Sequence, residues 1–108
     1  MELKKINAII RASSLEAVEA RLRSLGVPGL TITKVTGFGE YANFFSSTWK
    51  STHARIELFV EATDTQSIVS AIADAAHTGT AGDGIIVVLP VDSVCRIRDS
   101  RSLDSDHG

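Results

Sequence analysis

The chain has 108 residues, a length typical of one domain. Hydrophobic residues make up 44% and charged residues 22% of it, which excludes a disordered or fibrous chain and leaves a globular one. The net charge of −2 lacks the basic footprint of a nucleic-acid-binding protein, so no nucleic-acid partner is expected.

The N-terminal part predicts a strand followed by a helix. Residues 3–10 are mostly apolar and predict a buried strand, without the long apolar run of a secretory signal, so we expect a cytoplasmic protein. Ser13 and Glu16 have the spacing of a capping box. Leucine and valine residues then recur at helical spacing, and Gly26 supplies the left-handed residue that ends the helix.

The middle of the chain predicts two strands and a second helix. Residues 30–35 and 54–62 alternate between apolar and polar side chains, as in strands that pair with each other. Thr63 and Gln66 form a second possible capping box at the start of the second helix.

The C-terminal part completes the fold. Residues 85–89 form a continuous apolar run, which predicts a central strand covered on both faces. Residues 94–98 predict a short last strand in which Cys95 is buried. The order β-α-β-β-α-β predicts an α+β, ferredoxin-like domain over residues 1–98, with an antiparallel sheet and both helices on one face. Residues 99–108 have no apolar period and predict a mobile tail.

A glycine-rich segment, residues 78–84, separates the second helix from the apolar strand. Three glycines in six residues allow backbone N–H groups to turn inward as an anion-binding nest. The alternative, which spacing alone favours, is an ordinary turn with Gly79 as the helix C-cap. Asp83 between two glycines is either a general base or, as we prefer, a residue that fixes its own turn.

Two arginines follow this segment. Arg96 and Arg98 are two residues apart, so on a strand both guanidinium groups would share one face and could grip phosphate oxygens. The alternative is a solvated edge strand. Both signals converge if the last strand folds back beside the glycine-rich segment. The three histidines show no metal-binding spacing, so no metal site is expected.

The thirteen residues 40–52 link two strands that should pair, and hairpin links are usually shorter. They contain four of the six aromatic residues of the chain. The link either contacts a partner, folds over a ligand or packs on its own domain. Its aromatic residues are Tyr41, Phe44, Phe45 and Trp49.

Together these motifs resemble the PII family of signal-transduction proteins, over the chain up to about Ser100. The resemblance implies a homotrimer of ferredoxin-like subunits that is not an enzyme, has no obligatory cofactor and holds adenine nucleotides in the clefts between neighbours. The segments that carry it are Gly29-Leu30-Thr31, Gly37-Phe38-Gly39, Thr78-Gly79-Thr80-Ala81-Gly82-Asp83-Gly84 and Arg96-Ile97-Arg98.

The resemblance also assigns roles. The link 40–52 would be a shortened T-loop that engages a transporter or enzyme, with Phe44, Phe45 and Trp49 at the contact. The arginines would reach the phosphates from the adjoining subunit. The nucleotide-binding residues would be Thr31, Gly37, Phe38, Gly39, Thr78, Gly79, Thr80, Gly82, Asp83, Gly84, Arg96 and Arg98.

Departures from the family pattern change the expected ligands. Thr80 and Ile85 stand where the family usually has lysines, which favours ADP or AMP over ATP because fewer cations face the phosphates. Tyr41 and His53 replace residues that serve 2-oxoglutarate in the family. A smaller anion such as bicarbonate, held near Glu40, Tyr41 and His53, would suit the carboxysome-associated branch of the family that is tied to carbon uptake.

Two other functions fit a ferredoxin-like domain. An enzyme of acylphosphatase type would need a glycine-containing phosphate loop after the first strand, and residues 8–14 contain no glycine. An RNA-binding sheet would need aromatic residues on its strands, whereas most of those here lie in the link 40–52.

Overall fold

The computed structural model describes residues 2–37 and 51–103. Their helices and long strands follow the predicted order, and one short hairpin is added at the C-terminal end. The elements are β1 (Leu3–Arg11), α1 (Leu15–Ser24), β2 (Thr31–Gly37), β3 (Ser51–Glu61), α2 (Thr65–Ala76), β4 (Gly84–Pro90), β5 (Cys95–Arg96) and β6 (Arg101–Ser102).

Part of the predicted site lies outside the described residues. This applies to the second half of the Gly37-Phe38-Gly39 motif and to most of the link between β2 and β3. The predicted site residues concerned are Phe38, Gly39, Glu40, Tyr41, Phe44, Phe45 and Trp49.

The four long strands form one antiparallel sheet in the order β2-β3-β1-β4. Alternate side chains of β1 and β3 are buried together with the apolar stripes of both helices. The core includes Ile6 of β1, Ile56 of β3, Leu22 of α1 and Ile72 of α2, each at most 1% exposed. The predicted α+β, ferredoxin-like fold is therefore confirmed.

Both helices begin later than the sequence predicts. A 3-10 turn of three residues precedes each helix, so the N-cap residues are Ser14 and Asp64, and neither makes a side-chain capping hydrogen bond. The capping boxes predicted to start at Ser13 and Thr63 are wrong. The extra turn moves each helix start by one residue, which places the reciprocal acidic or amide side chain at N2 instead of N3.

The end of α1 is as predicted. Gly26 has a φ of +83°, which glycine adopts without strain. Its N–H donates to the carbonyl of Arg23 at 3.1 Å, and the N–H of Val27 donates to the carbonyl of Leu22 at 3.1 Å. This pair of bonds is a Schellman motif, which satisfies the last carbonyls of the helix.

The apolar strand β4 was predicted to be central, but it lies at an edge of the sheet beside β1. Val87, Val88 and Leu89 are 38%, 41% and 40% exposed. A continuous apolar run predicts cover on both faces, and the described residues of one chain do not provide it. The predicted central position was wrong because an apolar run indicates that a strand is covered but does not show whether its own chain or another chain covers it.

The C-terminal hairpin stands apart from the main sheet. β5 pairs only with β6 in the described chain, and the N–H of Leu103 donates to the carbonyl of Val94 at 2.8 Å. The predicted tail, residues 99–108, therefore contributes a strand, and the predicted boundary at residue 98 falls inside the hairpin. The mobility of the tail stays a prediction. Cys95 is exposed, contrary to prediction, because its strand is not part of the core.

Candidate functional site

The segment Thr78–Gly84, called the glycine loop below, joins α2 to β4 at one end of the sheet. Arg11, the last residue of β1, is paired there with His53 of β3. Gly37 lies at the same end, because it pairs with Ser51, two residues from His53. The structure thus brings together three predicted parts of the site, namely the glycine loop, Gly37 and His53.

Asp83 organises the glycine loop. Its carboxylate accepts hydrogen bonds from the hydroxyl of Thr78, from the N–H of Thr78 at 2.8 Å and from the N–H of Gly79 at 3.0 Å. These donors, the Thr78 hydroxyl foremost, hold the pKa of the Asp83 carboxyl far below its ordinary value. A carboxylate so occupied fixes its own turn and is a poor general base, in agreement with the preferred interpretation of the sequence.

Arg11 fastens the glycine loop to β1. Its Nε donates to Asp83 Oδ1 at 3.1 Å, and its Nη2 donates to Thr80 Oγ1 at 2.8 Å and to the carbonyl of Ala81 at 2.6 Å. Charge-assisted bonds from one guanidinium to three loop residues restrict the loop strongly. Arg11 was not predicted from the sequence. The only local signal is a cation directly after an apolar strand, and its partners are 69 to 72 residues away.

Glycine is required where the loop joins β4. Gly84 has a φ of +110°, and a Cβ added there would lie 1.8 Å from the carbonyl oxygen of Ile9. The chain can approach β1 so closely only without a side chain. Gly79 and Gly82 also have positive φ values, +85° and +98°. Such values allow backbone N–H groups to converge on an anion, and here the Asp83 carboxylate is the anion that accepts the N–H of Gly79.

The buried side chain of His53 contacts the glycine loop from β3. It is 1% exposed, and its Nε2 donates to the carbonyl of Gly82 at 3.0 Å. Nε2 carries the proton in this contact because a carbonyl oxygen only accepts. The ring therefore ties β3 to the glycine loop. Its part in holding a small anion stays a prediction.

An apolar cleft of about 270 Å³ opens beside the glycine loop, between α2 and the start of β4. Asp83 and His77 lie at its polar side. The cleft can accept a flat apolar group next to the amides of the loop. Its apolar walls come from β1, α2 and β4, through Ile9, Ile10, Ile72, Ala76, Ile85 and Ile86.

The two arginines do not share a strand face. Arg96 belongs to β5, whereas Arg98 lies in the turn that follows. The guanidinium of Arg96 holds Asp99 in a two-point pair, with Nε 3.1 Å from Oδ1 and Nη2 2.6 Å from Oδ2. The prediction of two adjacent side chains on one face is wrong because β5 is only two residues long.

The hairpin and the glycine loop lie at opposite ends of the sheet. Val94 and Leu103, at the base of the hairpin, line a cleft of about 540 Å³ together with Leu3. Leu3 and Arg11 are the two ends of β1, which has nine residues and is therefore roughly 26 Å long. The last strand thus does not fold back beside the glycine loop within one chain.

Thr31 lies away from the glycine loop, level with the middle of β1, because it pairs with Glu57 and Glu57 pairs with Asn7. It is the first residue of β2 and is exposed. Gly29, two residues earlier, lines the same 540 Å³ cleft as the base of the hairpin. One chain therefore carries two separate groups of predicted binding residues.

The family model "Nitrogen regulatory protein P-II" matches residues 3–101. The chain belongs to the PII family. Nitrogen regulatory protein P-II of Azospirillum brasilense is 37% identical, over 89% of this chain and 92% of that protein. Nitrogen regulatory protein GlnK2 of Haloferax mediterranei is 35% identical, over 93% of this chain and 87% of that protein.

The fold agrees with this assignment. The crystal structure of Arabidopsis thaliana PII bound to citrate has a TM-score of 0.80 and 32% identity, over 94% of this chain and 88% of that chain. The family resemblance found in the sequence is thus confirmed.

PII proteins are regulatory signal-transduction proteins and not enzymes, so the acylphosphatase alternative is excluded. Within the described ranges, neither helix could span a membrane, and the same residues contain no cluster of acidic, histidine and cysteine side chains suited to a metal ion.

Proposed function

We propose that this PII protein binds an adenine nucleotide in clefts between neighbouring copies of a homotrimer. The supporting observation is the division of the predicted binding residues between two ends of the sheet. The glycine loop is at one end and the hairpin that contains Arg96 is at the other, while Thr31 lies level with the middle of β1. A ligand that contacts both groups has to lie between two copies of the chain.

The apolar edge of the sheet supports an assembly of several copies. Val87, Val88 and Leu89 of β4 are about 40% exposed, and Ile97 in the hairpin turn is 95% exposed. Large exposed apolar side chains of this kind often mark a contact with a partner. A second copy of the chain would cover β4 and bring a hairpin toward the glycine loop.

The ligand we favour is ADP or AMP, with ATP bound less tightly. Arg11 is the cation closest to the glycine loop in the described part of the chain, and it already serves Asp83 and Thr80. Thr80 and Ile85 add no charge. A cation strengthens each contact to a phosphate group. A loop with few cations is therefore least suited to ATP, which has the most highly charged phosphate tail.

Nucleotide binding would act through the link 40–52, which we propose contacts a transporter or enzyme. We further propose that this protein senses bicarbonate in carbon metabolism, near Glu40, Tyr41 and His53. The support is the buried imidazole of His53 beside the glycine loop, which couples that end of β3 to the loop. Calorimetric titration of bicarbonate into the ADP complex of wild type and of His53→Gln tests this part, and heat unchanged by the substitution would contradict it.

Calorimetry and native mass spectrometry test the proposal together. Wild type should bind ADP and AMP more tightly than ATP and should appear as three subunits. Arg96→Ala should bind all three nucleotides more weakly. Arg23→Ala is the matched control, because Arg23 is exposed on α1, where its Nη2 lies 3.7 Å from Glu19 Oε2. A monomer, or equally negligible binding of all three nucleotides, would remove the proposed function.

A further inference from the structure

The C-terminal hairpin contains a carboxylate, that of Asp99, which already binds Arg96, one of the residues proposed to bind phosphate. Asp99 accepts from Nε of Arg96 at 3.1 Å and from Nη2 at 2.6 Å. The same carboxylate accepts the N–H of Arg101 at 3.1 Å. Both side chains are 36% exposed, so a ligand can reach the pair from solvent.

We propose that Asp99 determines which nucleotide this protein prefers, by competing with phosphate groups for Arg96. This inference rests on the proposed function, since it assumes that Arg96 faces the phosphates. A carboxylate and a phosphate both bind the paired N–H donors of a guanidinium in the same two-point manner. Asp99 takes the Nε and Nη2 edge, which is one of the two edges that a phosphate could use.

A phosphate at Arg96 therefore meets one of two costs. It displaces Asp99 and breaks the ion pair, or it binds the remaining edge of the guanidinium and lies within a few ångströms of the carboxylate. In the second arrangement two like charges lie well inside the screening distance of about 8 Å at physiological ionic strength. The cost of breaking the ion pair is the same for every nucleotide, whereas the repulsion rises with the charge of the phosphate tail, so Asp99 disfavours ATP more than ADP and ADP more than AMP.

The turn of the hairpin keeps Asp99 in place. The N–H of Ser100 donates to the carbonyl of Arg96 at 2.7 Å, and Ser100 has a φ of +59°, which non-glycine residues adopt infrequently. The pKa of Asp99 lies below its ordinary value, mainly because of the bond from Arg96. The carboxylate is therefore ionised at neutral pH, when nucleotides would bind.

Calorimetry with AMP, ADP and ATP on Asp99→Asn tests the inference. Asparagine keeps an acceptor for the Arg101 N–H and removes the charge. The variant should bind ATP roughly two- to fivefold more tightly than wild type does, the range expected from a partly exposed ion pair. The gain should be smaller for ADP and smallest for AMP. Asp99→Glu, which keeps the charge, should retain the wild-type order of affinities.

Asp92→Asn is the matched control, because it removes the same charge from an exposed residue of the segment before the hairpin. Asp99→Ser removes the charge with a different side chain, so the test does not depend on one variant folding. If wild type binds nucleotide and neither uncharged variant binds ATP more tightly, the inference is overturned while the proposed function stands. If wild type binds none of the three nucleotides, the proposed function fails and the inference with it.

Discussion

Arg11 and Asp83 are 72 residues apart in the chain and form an ion pair, with Arg11 Nε 3.1 Å from Asp83 Oδ1. The pair joins the end of β1 to the glycine loop. Asp83 also accepts from the N–H groups of Thr78 and Gly79. Arg11 also donates to Thr80 and Ala81 of the same loop. The loop therefore has its conformation before any ligand arrives, which lowers the entropic cost of binding.

Removing Arg11 should weaken nucleotide binding. Arg11→Ala leaves the loop without its bonds to Thr80 and Ala81, so we expect the dissociation constant for ADP to rise roughly tenfold. Arg11→Lys keeps the charge but not the forked set of donors, so its dissociation constant for ADP should lie between those of wild type and Arg11→Ala. Calorimetry with ADP measures both. Arg23→Ala on the outer surface of α1 should bind as wild type does, and equal affinities for Arg11→Ala and Arg23→Ala would contradict the role of Arg11.

The Asp83 carboxylate should make stability depend on acid pH. Its pKa is lowered in the folded protein from an ordinary value of 3.8, so the unfolded chain binds the proton more readily. The stabilisation is fully present above pH 5 and is lost as the pH falls below about 4. The difference in free energy of unfolding between wild type and Asp83→Asn should therefore shrink between pH 5 and pH 2.5.

Urea denaturation at a series of pH values measures this difference. Asp74→Asn is the control for the loss of one carboxylate, because Asp74 lies exposed on α2. A difference for Asp83→Asn that changes no more with pH than the difference for Asp74→Asn would show that the Asp83 carboxylate does not hold the folded loop.

Glycine substitutions should separate steric from conformational effects. Gly84→Ala should destabilise the protein by about 3 kcal/mol or more, because its Cβ would overlap the carbonyl of Ile9 and its φ is positive. Gly26→Ala, with a positive φ but open space, should cost about 1 kcal/mol. Gly29→Ala has neither problem and should lie within roughly 0.5 kcal/mol of wild type. Urea denaturation ranks the three variants, and any other order would refute the steric account of Gly84.

A charge on β4 should break the proposed trimer without unfolding the subunit. Val87 is 38% exposed on the sheet edge, so Val87→Glu costs little in an isolated chain but buries a charge in an assembly. Sedimentation velocity should show a smaller species with unchanged circular dichroism. Ala20→Glu, on the exposed side of α1, should keep the wild-type size. A Val87→Glu variant that remains trimeric would place the contact between copies elsewhere.

Local patterns were enough to predict the elements of this fold. The helical stripe that ends at Gly26 and the alternation in β3 depend on residues close in sequence, and both were predicted correctly. The exact helix starts were not, because a 3-10 turn shifts the caps by one residue without changing the periodicity.

Contacts between distant residues were not predictable in the same way. The apolar run of β4 indicates burial but carries no information on its neighbours, so its edge position was missed. Arg11 was missed because Asp83, Thr80 and Ala81, to which it donates, are about 70 residues away. The glycine loop could be located from its spacing, whereas its fastening to β1 could only be seen in three dimensions.

The separation of the glycine loop from the hairpin has a genetic consequence. In the proposed assembly each chain lends its loop to one cleft and its hairpin to another. An Arg11→Ala chain and an Arg96→Ala chain, each defective alone, would then complement each other when co-expressed, because some mixed clefts would receive an undamaged half from each parent. If each binding site were formed by one chain alone, mixing the two variants would restore no site.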